Sequence, residues 1–78
     1  MNLCDDIKHA IQSFIPNSYV EVSSLDGVHF SATISANAFG GLSRIKQHQM
    51  VYNALEKYFG VNWSDQIHAL EIKTITGE

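Results

Sequence analysis

The sequence predicts one α+β domain over residues 1–78, of order α-β-β-α-β, with a three-stranded mixed sheet covered on one face by helices. Apolar residues recur at helical spacing in two segments, Leu3, Ile7, Ala10, Ile11 and Phe14, then Val51, Tyr52, Leu55, Tyr58 and Phe59. They alternate with polar residues in three others, near 19–23, 29–35 and 67–75. The second alternating segment, the long helix and the third form a crossover unit, which calls for parallel strands joined right-handedly.

Each element has a local cause. Asn2 can cap the first helix, and Asp5 and Asp6 sit in its first turn, where the helix dipole favours negative charge. Pro16-Asn17-Ser18 breaks that pattern. Val20 and Val22 alternate with Tyr19, Glu21 and Ser23, and Phe30, Ala32 and Ile34 with His29, Ser31, Thr33 and Ser35. Leu25-Asp26-Gly27 between them is a turn, so the pair is expected to be an antiparallel hairpin. Ala38-Phe39-Gly40-Gly41 leads to a long helix with Ser43 as its cap. From Arg44 to Phe59 that helix spans about 24 Å, enough to run back along a seven-residue strand of about 23 Å. Val61 to Asp65 is expected to be a connector, followed by a strand from Ile67 to Ile75.

Composition narrows the function. Seventy-eight residues, 45 % of them hydrophobic and 17 % charged, describe one globular domain near the lower limit for a self-sufficient core. The single Cys4 excludes an internal disulfide. No apolar run approaches the ~20 residues of a membrane span, and the acidic N-terminus is unlike a signal peptide, so a cytoplasmic location is expected. A net charge of −3 opposes non-specific nucleic-acid binding but leaves room for a local basic patch.

No nucleophile elbow, P-loop or zinc-protease motif is present, and a non-catalytic domain is expected. Cys4, beside Asp5 and Asp6, lacks the electropositive setting of a reactive thiol. His9, His29, His48 and His68 show no short ligand spacing. A structural zinc or an iron–sulfur cluster needs four ligands, so this chain can complete a site but not build one. Parallel strands begin at one end of a sheet, which gathers His29 and His68 at one rim. Parity sets them on opposite faces, with His29 beside Ser31 and His68 beside Leu70, so only a twisted turn would aim both at one point. On spacing alone, His68 is either a histidine bonded to backbone or a sheltered ligand, and His29 either a solvent-facing strand residue or a ligand. Arg44, Lys46 and His48 crowd the start of the long helix behind Gly40-Gly41 and Ser43. They form either a docking face for an acidic partner or phosphate, or a solvated helix face.

Three stretches together resemble the BolA family: His29-Phe30-Ser31-Ala32-Thr33-Ile34-Ser35, Phe39-Gly40-Gly41-Leu42-Ser43-Arg44 through Val51-Tyr52, and Ile67-His68-Ala69-Leu70-Glu71-Ile72-Lys73-Thr74. The resemblance spans nearly the whole chain and implies a class II KH-like fold. It also implies an adaptor in iron–sulfur cluster assembly, trafficking or iron regulation, partnered with a monothiol glutaredoxin and glutathione. In such a pair a [2Fe–2S] cluster is shared rather than held tightly by the isolated chain. The histidine of the His-Ala-Leu motif, here His68, is the implied ligand. The usual second Cys or His of the first hairpin turn is missing from Leu25-Asp26-Gly27-Val28, leaving His29 as its stand-in. The alternative implied by a KH-like fold is a nucleic-acid-binding transcriptional regulator using Gly40, Gly41, Ser43, Arg44, Lys46 and His48, and a role in stress response accompanies either. Gln47 stands where the family often has arginine. The family pattern continues into a threonine-proline segment and a last helix, whereas this sequence ends Thr74-Ile75-Thr76-Gly77-Glu78, as a domain lacking that helix or a shortened chain. The free chain is expected to be a monomer or weak homodimer.

Overall fold

A computed structural model describes residues 3–67 and 69–76. The order is α1 (Leu3–Phe14), β1 (Tyr19–Ser23), β2 (His29–Ala36), a 3-10 turn (Asn37–Phe39), α2 (Arg44–Phe59), a short α3 (Trp63–Gln66) and β3 (Ala69–Thr76). The expected α-β-β-α-β order stands, with two short helical turns added, the 3-10 turn and α3.

α1 buries Ile7, Ala10 and Ile11. It ends where Asn17 takes a left-handed φ of 60° and the Ser18 hydroxyl donates to the Ile15 carbonyl at 2.6 Å, satisfying a group the helix leaves open. The expected cap at Asn2 lies outside the described residues.

The sheet order is β1-β2-β3. β1 and β2 are antiparallel, with Val20 opposite Ile34, and β2 and β3 are parallel, with His29 opposite Ala69. Period-two alternation sends Val20, Phe30, Ala32, Ile34 and Ala36 into the core, while half-buried Val22, Leu70 and Ile72 pack against it. Glu21, Ser23, Ser31, Glu71 and Lys73 face solvent on the open side. The helices cover the other side, closed by Val51, Ala54 and Leu55 of α2.

Two expectations change. The inner face of α2 is Val51, Ala54 and Leu55, while Tyr52 and Tyr58 are 41 % and 50 % exposed. Small Ala54 lets α2 approach its neighbours closely, and the tyrosines flank that face with their rings paired elsewhere. Tyr52 stacks on Trp63 at 5.6 Å, and Tyr58 meets Phe59 edge-on at 5.0 Å. The connector folds into α3, whose Trp63 carbonyl accepts from the Ile67 amide at 3.1 Å. Ile67 is therefore a buried cap rather than a strand residue, and β3 begins at Ala69. Phe39, in the 3-10 turn that precedes the glycines, is fully buried and belongs to the core.

Candidate metal-ligand rim and basic face

The β1–β2 turn is a tightly bonded unit that ends on His29. Gly27 takes a φ of +76°, which closes the turn without a Cβ penalty. One oxygen of Asp26, Oδ1, accepts from the amides of Val28 at 2.9 Å and His29 at 2.8 Å. Ser24 Oγ accepts from the Gly27 amide at 2.9 Å and donates to the His29 carbonyl at 2.6 Å. The second carboxylate oxygen, Asp26 Oδ2, lies 2.7 Å from His29 Nδ1. Hydrogen bonds from the His29 amide, the His29 ring and the Val28 amide hold the Asp26 carboxyl well below the usual carboxylate range.

The His29 side chain is 73 % exposed and that of Asp26 52 %. Two shallow hollows meet at His29. One, of about 420 Å3, is lined by Ser23, Ser24, Leu25, Asp26 and Ser31 with His29; the other, of about 500 Å3, runs across to Ala69, Leu70 and Glu71 on β3. β2 and β3 are parallel and in register from His29 opposite Ala69. His68 itself lies outside the described residues.

Among the described residues no three His, Cys, Asp or Glu side chains are grouped to hold a metal ion. The donor set fits a shared cluster in one respect: His29 offers an exposed imidazole whose Nδ1 is occupied by a carboxylate. Ligating histidines commonly have such a partner, and it leaves the other ring nitrogen for the metal. Cys4 is half-buried and packs against the core. His9 is exposed on α1 and far in sequence from the rim.

The other candidates sit at the start of α2. Ser43 caps the helix, its Oγ accepting from the Lys46 amide at 3.3 Å. Gly41 takes a φ of +80°. Gly40 donates its amide to Asn37 at 3.0 Å and Leu42 donates to Phe39 at 3.1 Å, so these two amides are committed within the loop rather than offered to a ligand. Arg44 and Lys46 are exposed and His48 is half-buried. Arg44 and His48, one helical turn apart, line a cavity of about 200 Å3 with Ile72, Lys73 and Thr74 of β3, whereas Lys46 does not reach it.

Two functional details escaped sequence reading. Gln47 Nε2 donates to the carbonyls of Phe39 at 3.2 Å and Leu42 at 3.1 Å, and its Oε1 accepts from Thr74 Oγ1 at 2.5 Å. Nothing in the local pattern announces this link. The Asp26–His29 bond had a usable signal: an aspartate before glycine in a turn is expected to bond amides two and three residues ahead.

A small α+β domain with a three-stranded mixed sheet, open on one face and covered by helices on the other, is the class defined by this fold. The model for the family described as BolA-like protein matches residues 8–78, and the chain belongs to that family. The acid stress protein IbaG of Escherichia coli K12 is 35 % identical over 72 residues, covering 92 % of this chain and 81 % of IbaG. A BolA protein homologue from Coxiella burnetii is 35 % identical with a TM-score of 0.75, covering 97 % and 92 % of the two chains. The BolA domain of SufE1 from Arabidopsis thaliana is 25 % identical with a TM-score of 0.71, covering 90 % and 86 %. No helix among the described residues is long and apolar enough to cross a membrane.

Proposed function

We propose that this chain is a non-catalytic adaptor that docks on a monothiol glutaredoxin and lends histidine nitrogen to a [2Fe–2S] cluster held mainly by that partner and glutathione. The observation that carries the reading is His29, exposed at the start of β2, opposite the residue that follows His68, with Nδ1 held by Asp26. A cluster of this kind takes four protein or thiol ligands, and among the described residues His29 is the one imidazole at that rim, so the partner would supply most of the set. The cluster, when present, would supply an electron-accepting iron pair that can be passed to an acceptor. His68 and His29 would bind it, and the turn from Ser24 to His29 would keep the second imidazole from swinging away.

The test is titration of the chain into cluster-loaded and cluster-free glutaredoxin with glutathione, followed by visible circular dichroism and gel filtration. The adaptor reading expects a changed cluster spectrum and a 1:1 complex, with His68→Ala altering the spectrum or shortening the cluster's lifetime. An unchanged spectrum without a complex would defeat it. Service in a stress response, in keeping with the name of the Escherichia coli relative, would lie downstream of this exchange.

One observation favours a second reading, a KH-like nucleic-acid-binding regulator. Arg44, His48 and Lys73 surround one cavity between α2 and β3. The net charge of −3 and the committed loop amides stand against it. Single-strand binding with a steep salt slope, lost in an Arg44→Ala/Lys73→Ala double variant, would establish it. Negligible binding at low salt would dismiss it.

A further inference from the structure

We infer that Asp26 is a positioning residue for metal binding: it fixes His29 in the tautomer whose Nε2, not Nδ1, is the ligating atom. This rests on the adaptor reading above and adds to it a residue, an atom and a direction. A carboxylate can only accept hydrogen bonds, so the ring nitrogen 2.7 Å from Asp26 Oδ2 must carry the proton. The neutral ring then has its lone pair on Nε2, in a side chain that is 73 % exposed.

Asp26 is itself immobilised. Its other oxygen holds two backbone amides, Val28 and His29, and the Ser24 hydroxyl bridges Gly27 to the His29 carbonyl. The ring is thus anchored at backbone and at Nδ1 by one side chain, so few rotamers need to be frozen when a metal arrives. An anionic neighbour also makes the imidazole a better donor to iron. The hollow on the β3 side of His29 is bordered by Ala69, the smallest side chain available with a Cβ, which leaves room for an incoming thiolate-bearing partner.

Asp26→Asn keeps the shape and the two backbone bonds but can turn its amide toward Nδ1. The amide would donate there, moving the ring proton to Nε2 and blocking the ligating atom. The experiment has two arms. In the free protein, ring-nitrogen NMR of 15N-histidine-labelled chain should show His29 with a protonated Nδ1 and a bare Nε2, and Asp26→Asn should reverse or mix the two. In the complex with cluster-loaded monothiol glutaredoxin, Asp26→Asn should speed cluster loss by roughly 10- to 100-fold, matched by His29→Ala, with the double variant no worse than either. A wild-type ring protonated on Nε2 would overturn the inference without touching the adaptor reading. A Nδ1-protonated ring with cluster retention indifferent to His29→Ala would overturn it by removing His29 as a ligand. Failure of the wild-type chain to engage the cluster at all would overturn the inference and the adaptor reading together.

Discussion

The Thr74 hydroxyl donates to Gln47 Oε1 at 2.5 Å, tying β3 to α2, while the same amide group holds the carbonyls of Phe39 and Leu42. One side chain therefore sets the spacing between the glycine loop, the start of α2 and the strand that carries Lys73. The resemblance to the family leads one to expect arginine at this position. A guanidinium can donate to both carbonyls but cannot accept from Thr74. In this chain the position is given to architecture rather than to positive charge.

Gln47→Ala takes the side-chain partner from the Leu42 carbonyl and the Thr74 hydroxyl, and one of two donors from the Phe39 carbonyl, which keeps the Leu42 amide. The expected loss is about 1–3 kcal/mol, read as a lower urea midpoint at unchanged slope. Gln47→Arg should recover part of that loss. If Gln47→Ala unfolds at the wild-type midpoint, the network has no energetic role.

Phe39 is fully buried although it lies in a 3-10 turn between β2 and the glycine loop. Truncating such a ring typically costs about 3–5 kcal/mol. A 78-residue domain has little more than that in reserve, so Phe39→Ala should be largely unfolded by far-ultraviolet circular dichroism at 37 °C. A cooperative melt near the wild-type temperature would place Phe39 outside the core.

Asp26 gives the turn an acid limit. Its carboxyl is lowered from the ordinary 3.8 of an aspartate by bonds to the His29 amide, the His29 ring and the Val28 amide. A group whose folded pKa is depressed stabilises fully above its unfolded value and loses that contribution as pH falls toward the folded one. The stability difference between wild type and Asp26→Asn should therefore be constant above about pH 5 and shrink progressively below pH 4. Urea unfolding at stepped pH measures it, and a difference independent of pH would mean the carboxylate is not held as described.

Trp63 stacks on Tyr52 and thereby pins α3 to the outer flank of α2. Trp63→Ala should cost the burial of a half-exposed ring plus about 0.5–1.5 kcal/mol of stacking. Tyr52→Phe keeps the ring and should cost little. Equal losses in the two variants would show that the phenol hydroxyl, not the stack, is what matters.

Much of this molecule was legible in its sequence because its signals are periodic. Alternation in 19–23 and 29–35, the Asp26-Gly27 turn and the Ser43 cap all reappear at their expected places. What failed was the assignment of aromatic residues: Tyr52 and Tyr58 look like core on a helical wheel, yet rings with a polar end can lie along a flank, and small Ala54 takes the inner position. Phe39 was hidden for the opposite reason, since a single turn residue has no period to reveal it. At the candidate site, the sequence set His29 at the opening of β2, where it is found, while His68 lies outside the described residues. The carboxylate behind His29 and the Gln47 link depend on side chains meeting across turns and elements, which no one-dimensional pattern records.

The decisive point is whether imidazole nitrogen from this chain reaches iron on its partner. The direct measurement is pulsed electron paramagnetic resonance of the reduced cluster in the complex, with only this chain's histidines labelled with 15N. Coupling to 15N, reduced in His68→Ala and in His29→Ala, is the predicted result. A complex that forms and retains its cluster with no 15N coupling would contradict it.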